Sequence, residues 1–286
     1  MRRGVRSRET WRSLRIAAWL GWQVESNWAD PFVFAIYSVI KPIAGALILV
    51  FMYVVVARGG LENPLFPAIF VGNAFFIYVP TVLSGISWSI IDDREHYGML
   101  KYMYVAPLDI FAYLAGRGIA KAVIATIALV ITLLLGVFAL GVPIEFASID
   151  WPLFIGVSLF GAAILTFLGI LLGGITLITA RHSYYVGEAV AGALYLFCGV
   201  VFPIDVLPAW LRWIGQAIPL TYWLEALRRA MIGVGASRTL DGLSDAGLLA
   251  IVAGSSFGVA GLAYVCYRLA ERRALGRGLI DMQTMY

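Results

Sequence analysis

Residues 199–233 read GVVFPIDVLPAWLRWIGQAIPLTYWLEALRRAMIG. Pro203, Pro208 and Pro219 stop one helix from running through this stretch, because each ring removes an N–H donor and clashes with the preceding turn. The pattern predicts instead two short amphipathic helices, Ala209 to Ala217 and Thr221 to Ile232. Thr221 is the expected N-cap of the second, Gly233 its stop, and Glu225 faces Arg228 and Arg229 at helical spacing. At 1.5 Å per residue the two cover about 14 and 18 Å, against a hydrocarbon core of about 30 Å. Neither crosses, so the pair dips in and returns or lies in the interface.

Working outward, the rest of the chain is that of a polytopic membrane protein. Of its 286 residues 61% are hydrophobic and 13% charged, about half the charged share of a soluble domain. Apolar runs suited to crossing lie at about Phe32 to Ala57, Leu65 to Ile91, Ile110 to Leu140, Pro152 to Thr179, Tyr185 to Phe202 and Ala246 to Leu269, so six spans are expected. An even count puts both termini on one side. Cytoplasmic segments hold lysine and arginine in excess, and termini-inside gathers Arg2 to Arg15, Arg94, Lys101, Arg117, Lys121, Arg181 and Arg268 to Arg277 there. Only Arg58, Arg212, Arg228, Arg229 and Arg238 fall outside, together with the opening stretch. The net charge of +4 therefore orients the chain in a bilayer, and no nucleic-acid surface is expected.

Residues 1–30 form a unit of their own, a cytoplasmic basic and amphipathic interfacial helix, followed by the membrane domain at 31–286. On a helical wheel Trp11, Leu14, Ala18, Trp22, Val24 and Trp28 gather opposite Arg12, Arg15, Gln23 and Ser26. The first apolar run, with Lys41-Pro42 inside it and no small-residue cleavage site, reads as a retained span rather than a signal peptide. Cys198 and Cys266 fall near opposite membrane faces, and no disulfide is expected. Arg58 to Pro64 and Gly141 to Trp151 are short outer loops, and Arg181-His182-Ser183 is a bare inner turn.

Asp92 to Asp109 is the one substantial inner connection. If helical it gathers Met99, Leu100, Met103 and Tyr104 on one face, with Arg94 and Lys101 opposite, and Pro107 ends it. The segment reads either as a short docking helix with an apolar knob or as a solvated loop that joins two spans. A P-loop needs Gly-Lys followed by Ser or Thr, but Lys41, Lys101 and Lys121 follow Ile, Leu and Ala, so this chain carries no Walker A motif. His96 and His182 are too few and scattered for zinc, and Asp92-Asp93 reads as a solvated loop face. No catalytic or metal residues are expected, and a polytopic membrane enzyme is the remote alternative.

Other residues carry two readings each. Lys41 and Glu188 are isolated charges in apolar runs, read either as snorkelling or interfacial groups or as an intramembrane pair. Gly169, Gly173-Gly174 and Gly254 to Gly261 let helices approach, within a subunit or across a dimer seam. Phe51, Tyr53, Trp210, Trp213 and Trp223 form an interface belt or line a path.

Two segments together carry a family resemblance. Glu95, Gly98, Met99, Leu100, Pro107 and Leu108 look like the loop between the second and third spans of ABC-2-type exporter permeases. Pro203, Asp205, Leu207-Pro208, Trp210, Pro219-Leu220, Tyr222, Glu225 and Arg228 resemble the signature before that family's last span. Met99 and Lys101 depart from the family's usual threonine and acid. The resemblance implies an all-α, six-span permease with a coupling loop at 92–109 and an external re-entrant hairpin at 199–233. It further implies ATPase coupling through Glu95, Gly98, Met99, Leu100, Met103 and Pro107. An external gate would comprise Pro203, Asp205, Pro208, Trp210, Pro219, Tyr222, Glu225 and Arg228. The first and fifth spans would line the path. The implied partners are two separate ABC ATPase subunits carrying ATP and Mg2+, and a second permease copy or a paralogue. The implied setting is a prokaryotic inner membrane with both termini cytoplasmic. The implied cargo is an amphiphilic drug or lipid, or alternatively a lipid-linked polysaccharide, moved outward.

Overall fold

Four of the described helices open on a side-chain cap, at Asp30, Asp109, Asp150 and Ser244. In the computed structural model, residues 2–27, 30–56, 65–179 and 185–280 are described, and they contain no strand. The outer loop at 58–64, the turn at 181–183 and Trp28 lie outside the described residues. Helix α1 is Arg2–Asn27. Helix α2, Pro31–Phe51, opens on the Asp30 carboxylate, which accepts from the Phe32 N–H at 2.8 Å, and continues in wide π-type turns over Met52–Val56. Helix α3 is Phe66–His96, loosened by π-type turns at Val79–Ser84 and Asp92–His96. A six-residue helix α4, Leu100–Val105, precedes α5, Ile110–Leu140, whose N-cap is Asp109 and whose stop is left-handed Gly141. Asp150 caps α6, Trp151–Ile178. Next come α7, Val186–Phe197, α8, Ala209–Ala217, and α9, Pro219–Ile232. Ser244 caps the last helix, α10, Asp245–Gly276.

Among the described residues four helices are long and apolar enough to cross a membrane: α3, α5, α6 and α10. The stretches Ser38–Phe51 and Val186–Phe197 are apolar but shorter, so length alone supports four of the six expected spans. The expected run to Phe202 is cut at Phe197, because Gly199 turns left-handed at φ 71° and Pro203 follows. Twelve residues of α7 reach about 18 Å.

Helix α6 forms the centre, packed along α10 and against α9, α3 and α5. Its glycines set these distances: a Cβ on Gly161 would fall 1.9 Å from Trp223 Nε1, and one on Gly173 2.5 Å from Ile90. The packing reading therefore holds for Gly169, Gly173 and Gly174, which also contact α3 or α10, whereas Gly254, Gly258 and Gly261 meet nothing within 4 Å. Helix α1 lies along α5, and its most buried residues are Ser13, Ala17 and Gly21 rather than the tryptophans of the helical wheel. Leu14, Ala18, Trp22 and Val24 of that face are half-buried, while Trp11 is exposed. Small side chains win because Gly116 of α5 presses against the Leu14 carbonyl and Ala17, an approach that bulky rings would block. An ion pair from Lys121 to Glu25 adds to this seam.

Candidate functional site: the α4 face and the 199–233 clasp

At the end of the bundle that holds α4, the apolar knob is turned inward. Gly98, at φ 57°, breaks the chain between α3 and α4, and α4 then lays Leu100 into the core at 3% exposure, with Met103 and Tyr104 packed beside it. Burial pushes the Tyr104 phenol up to about 12, so it stays protonated beside the Tyr267 hydroxyl at 3.4 Å. The face left outward carries Tyr97, Lys101, Tyr102 and Val105, with Tyr102 67% and Val105 87% exposed. Met99 is half-buried and Pro107 exposed. The sequence pattern found the amphipathic segment but assigned its apolar side to a partner, when that side joins α4 to its own bundle.

Nor is Asp92-Asp93 simply a solvated loop. Asp93, Arg94 and Glu95 are all buried. Arg94 pairs with Glu95 at 2.9 Å, and Asp93 accepts from the Tyr113 hydroxyl at 2.9 Å. Arg117, also buried, donates to the Ser89 hydroxyl at 3.1 and 3.3 Å. Residues of α3 and α5 thus share a buried polar joint, and the Arg94 guanidinium reaches the Thr176 carbonyl of α6 at 3.5 Å. Removing one partner from such a joint costs about 3–5 kcal/mol, because the other charge stays buried. The charge count places Arg117 in a cytoplasmic segment rather than in a buried joint, and it does not single out Tyr113. The available signal was an arginine between Gly116 and Gly118 inside an apolar run, which is as costly there as Lys41.

The end of the bundle at which α3 begins is built from arginines that grip backbone carbonyls. Arg228 is 3% exposed. Its guanidinium donates to the carbonyls of Ala68 at 2.8 Å, Gly199 at 2.6 Å and Val200 at 3.1 Å. It thereby ties α9 to α3 and to the chain leaving α7. Burial pulls the group down to about 10, although Glu225 pulls it back up, so it is charged at neutral pH. Arg229 donates to the carbonyls of Leu243 at 2.6 Å and Leu240 at 2.8 Å, and Arg212 to those of Asp205 at 2.7 Å and Leu207 at 3.2 Å. Glu225 lies between Arg228 and Arg229, 3.9 and 3.6 Å away, and accepts from the Ala236 N–H at 3.1 Å.

Asp205 closes the clasp. Its carboxylate accepts from the Ser237 hydroxyl at 3.0 Å, from the N–H groups of Arg238 at 2.7 Å and Thr239 at 3.2 Å, and from the Thr239 hydroxyl. Partial burial disfavours its charge, but those four donors outweigh it and hold the carboxyl below its ordinary range. Ile204, Leu207 and Leu240 form a small apolar cluster beneath. Thr221 is not the N-cap of α9. Pro219 starts that helix one residue after Ile218, and the Thr221 hydroxyl donates to the Gly215 carbonyl at 2.6 Å. Gly233 ends it left-handed at φ 70°, as the spacing predicts. Tyr222 donates to the Gln216 carbonyl at 2.7 Å, stapling α9 to the end of α8. What the hairpin leaves exposed is apolar: Val206, Trp210 and Trp213, beside Pro208.

A family model described as ABC-2 type transporter matches residues 14–232, from within α1 through α4 to the end of α9. The chain belongs to the ABC-2 type transporter family. A comparison with curated proteins found no match. Membership makes this ABC-2 chain the membrane permease subunit of an ABC transporter, of a kind that lacks the ATP-binding cassette and normally works with ABC ATPases. Lys41 and Glu188 are both exposed. Trp223, one of the five aromatics considered for a path, is buried against Phe75, Tyr78 and Gly161 inside this ABC-2 permease.

Proposed function

We propose that the chain moves an amphiphilic, drug- or lipid-like substrate out of the cytoplasm, as one of two permease copies driven by two separate ATPase subunits that bind ATP and Mg2+. The observation that carries this reading is the exposed face of α4. Lys101, Tyr102 and Val105 project from a helix whose other side is locked into the bundle through Leu100. A partner that grips this face moves the ends of α3 and α5 with it. Glu95, Gly98, Met99, Leu100, Met103 and Pro107 shape and seat the lever; Tyr102 and Val105 make the contact. Alternating exposure of the path then follows from a population shift driven by nucleotide.

The outer clasp acts as the exit gate. Arg212, Arg228 and Arg229 are occupied by carbonyls, so an emerging substrate meets Val206, Trp210 and Trp213, a surface matched to an amphiphile rather than to a bare anion. Pro203, Asp205, Pro208, Pro219, Tyr222, Glu225 and Arg228 hold that surface in place.

The test is the pair Tyr102→Asp and Val105→Asp. The double variant is expected to run as a folded permease on size-exclusion in detergent but to lose its ATPase on co-purification. Undiminished assembly with the ATPase would remove α4 as the docking element. Leu100→Asp is unsuited to this test, because it places a charge in the core. Stimulation of ATP hydrolysis in liposomes by amphiphiles, and not by their soluble headgroups, checks the substrate class.

A further inference from the structure

The segment around α4 is held on its two sides in unequal ways. Its root in α3 is the buried joint of Asp93, Arg94, Tyr113 and Arg117, out of contact with water. Its exit, at Pro107 to Asp109, meets α1 and α10 through half-exposed groups. Asp109 accepts from the Thr10 hydroxyl of α1 at 3.4 Å and stands 3.8 Å from the Arg268 guanidinium of α10. The Arg268 and Asp109 side chains are 32% and 29% exposed. Arg268 also holds Glu271 at 2.9 Å, so it keeps a partner whether or not Asp109 is near. Between these groups lies a cavity of about 310 Å³, lined by Glu9, Thr10, Tyr104, Pro107, Asp109 and Glu271 among others.

Long, hydrated ion pairs are weak and screened by salt, so they break and re-form readily, whereas a buried joint does not. The backbone changes direction on both sides of α4, at left-handed Gly98 and at extended Ala106 before Pro107. The cavity gives the exit of α4 room to swing towards α1 and α10. We propose that Asp109 and Arg268 form a latch, closed in the arrangement seen here, that opens and closes as α4 moves and so ties its position to α10 and α1. Both residues are positioning residues, acting through α4. The proposal rests on the reading that α4 meets the ATPase.

The experiment uses the complete permease–ATPase complex with spin labels at Ala106→Cys and Arg272→Cys, in a background carrying Cys198→Ser and Cys266→Ser. The label distance is measured without nucleotide and after trapping with ATP, Mg2+ and vanadate. The expected result is two distinct distances. Asp109→Asn, which keeps the helix cap, and Arg268→Gln should each raise the trapped-like population in the nucleotide-free complex by about two- to fivefold, the factor to which an exposed ion pair corresponds. The double variant should go no further than either single one. One distance in both states, in a complex that still hydrolyses ATP, overturns the latch and leaves the coupling reading standing; so do single variants with unchanged populations. A permease that never co-purifies with an ATPase overturns the coupling reading and the latch together.

Discussion

Arg228 brings a full charge into a place without water and spends it on three carbonyls and one carboxylate. A guanidinium is suited to that task because its planar fork presents five donors at fixed angles, and lysine cannot reproduce it. Arg228→Met is therefore expected to lower stability by about 3–5 kcal/mol, since it leaves buried acceptors without a donor. Thermal unfolding followed by fluorescence-detected size-exclusion measures this, and Arg228→Lys should recover only a minor part. A residue that served the substrate instead would lose transport at wild-type stability. If the hairpin faces outside, the same physics explains why three basic residues sit there against the charge rule. Arg212, Arg228 and Arg229 are structural ligands of the backbone, and the charge rule concerns charges facing water or headgroups.

At the scale of elements, helix α1 is attached by closeness rather than by bulk. A Cβ on Gly116 would stand 2.4 Å from the Leu14 carbonyl and one on Gly21 2.8 Å from Ala120. Gly116→Val is expected to cost about 1–3 kcal/mol as an overpacking substitution and to loosen α1 from α5. Trypsin should then cut at Arg12 and Arg15, both exposed, faster than in the wild type; an unchanged cleavage rate would mean that α1 is held elsewhere. Helix α4 carries the complementary lesson. Its amphipathic pattern was legible, but a helix of six residues has two sides, and only the position of Gly98 decides which of them meets the bundle.

For the whole molecule, polar groups collect at the two ends of a bundle centred on α6: a buried joint and half-exposed latch at one end, a carbonyl-gripping clasp at the other. If the termini are cytoplasmic, Lys101→Cys should react with an impermeant maleimide only after permeabilisation, and Asp241→Cys in intact cells. The reverse pattern would invert the assignment. The sequence by itself determined the membrane class, the broken hairpin at 199–233 with both its helices, and the Gly233 stop, because each follows from local composition, proline chemistry and short-range spacing; the family entered only through the resemblance of 92–109 and 199–233 to its members. It did not determine that α7 ends at Phe197 or that α1 docks on its smallest residues. Nor did it fix which face of α4 is free, or that Asp93, Arg117 and Arg228 are buried. Those were decided by tertiary structure, since the surroundings of a charged side chain depend on helices distant in sequence: Arg228 finds its acceptors on residues 68, 199 and 200, which no local pattern brings together.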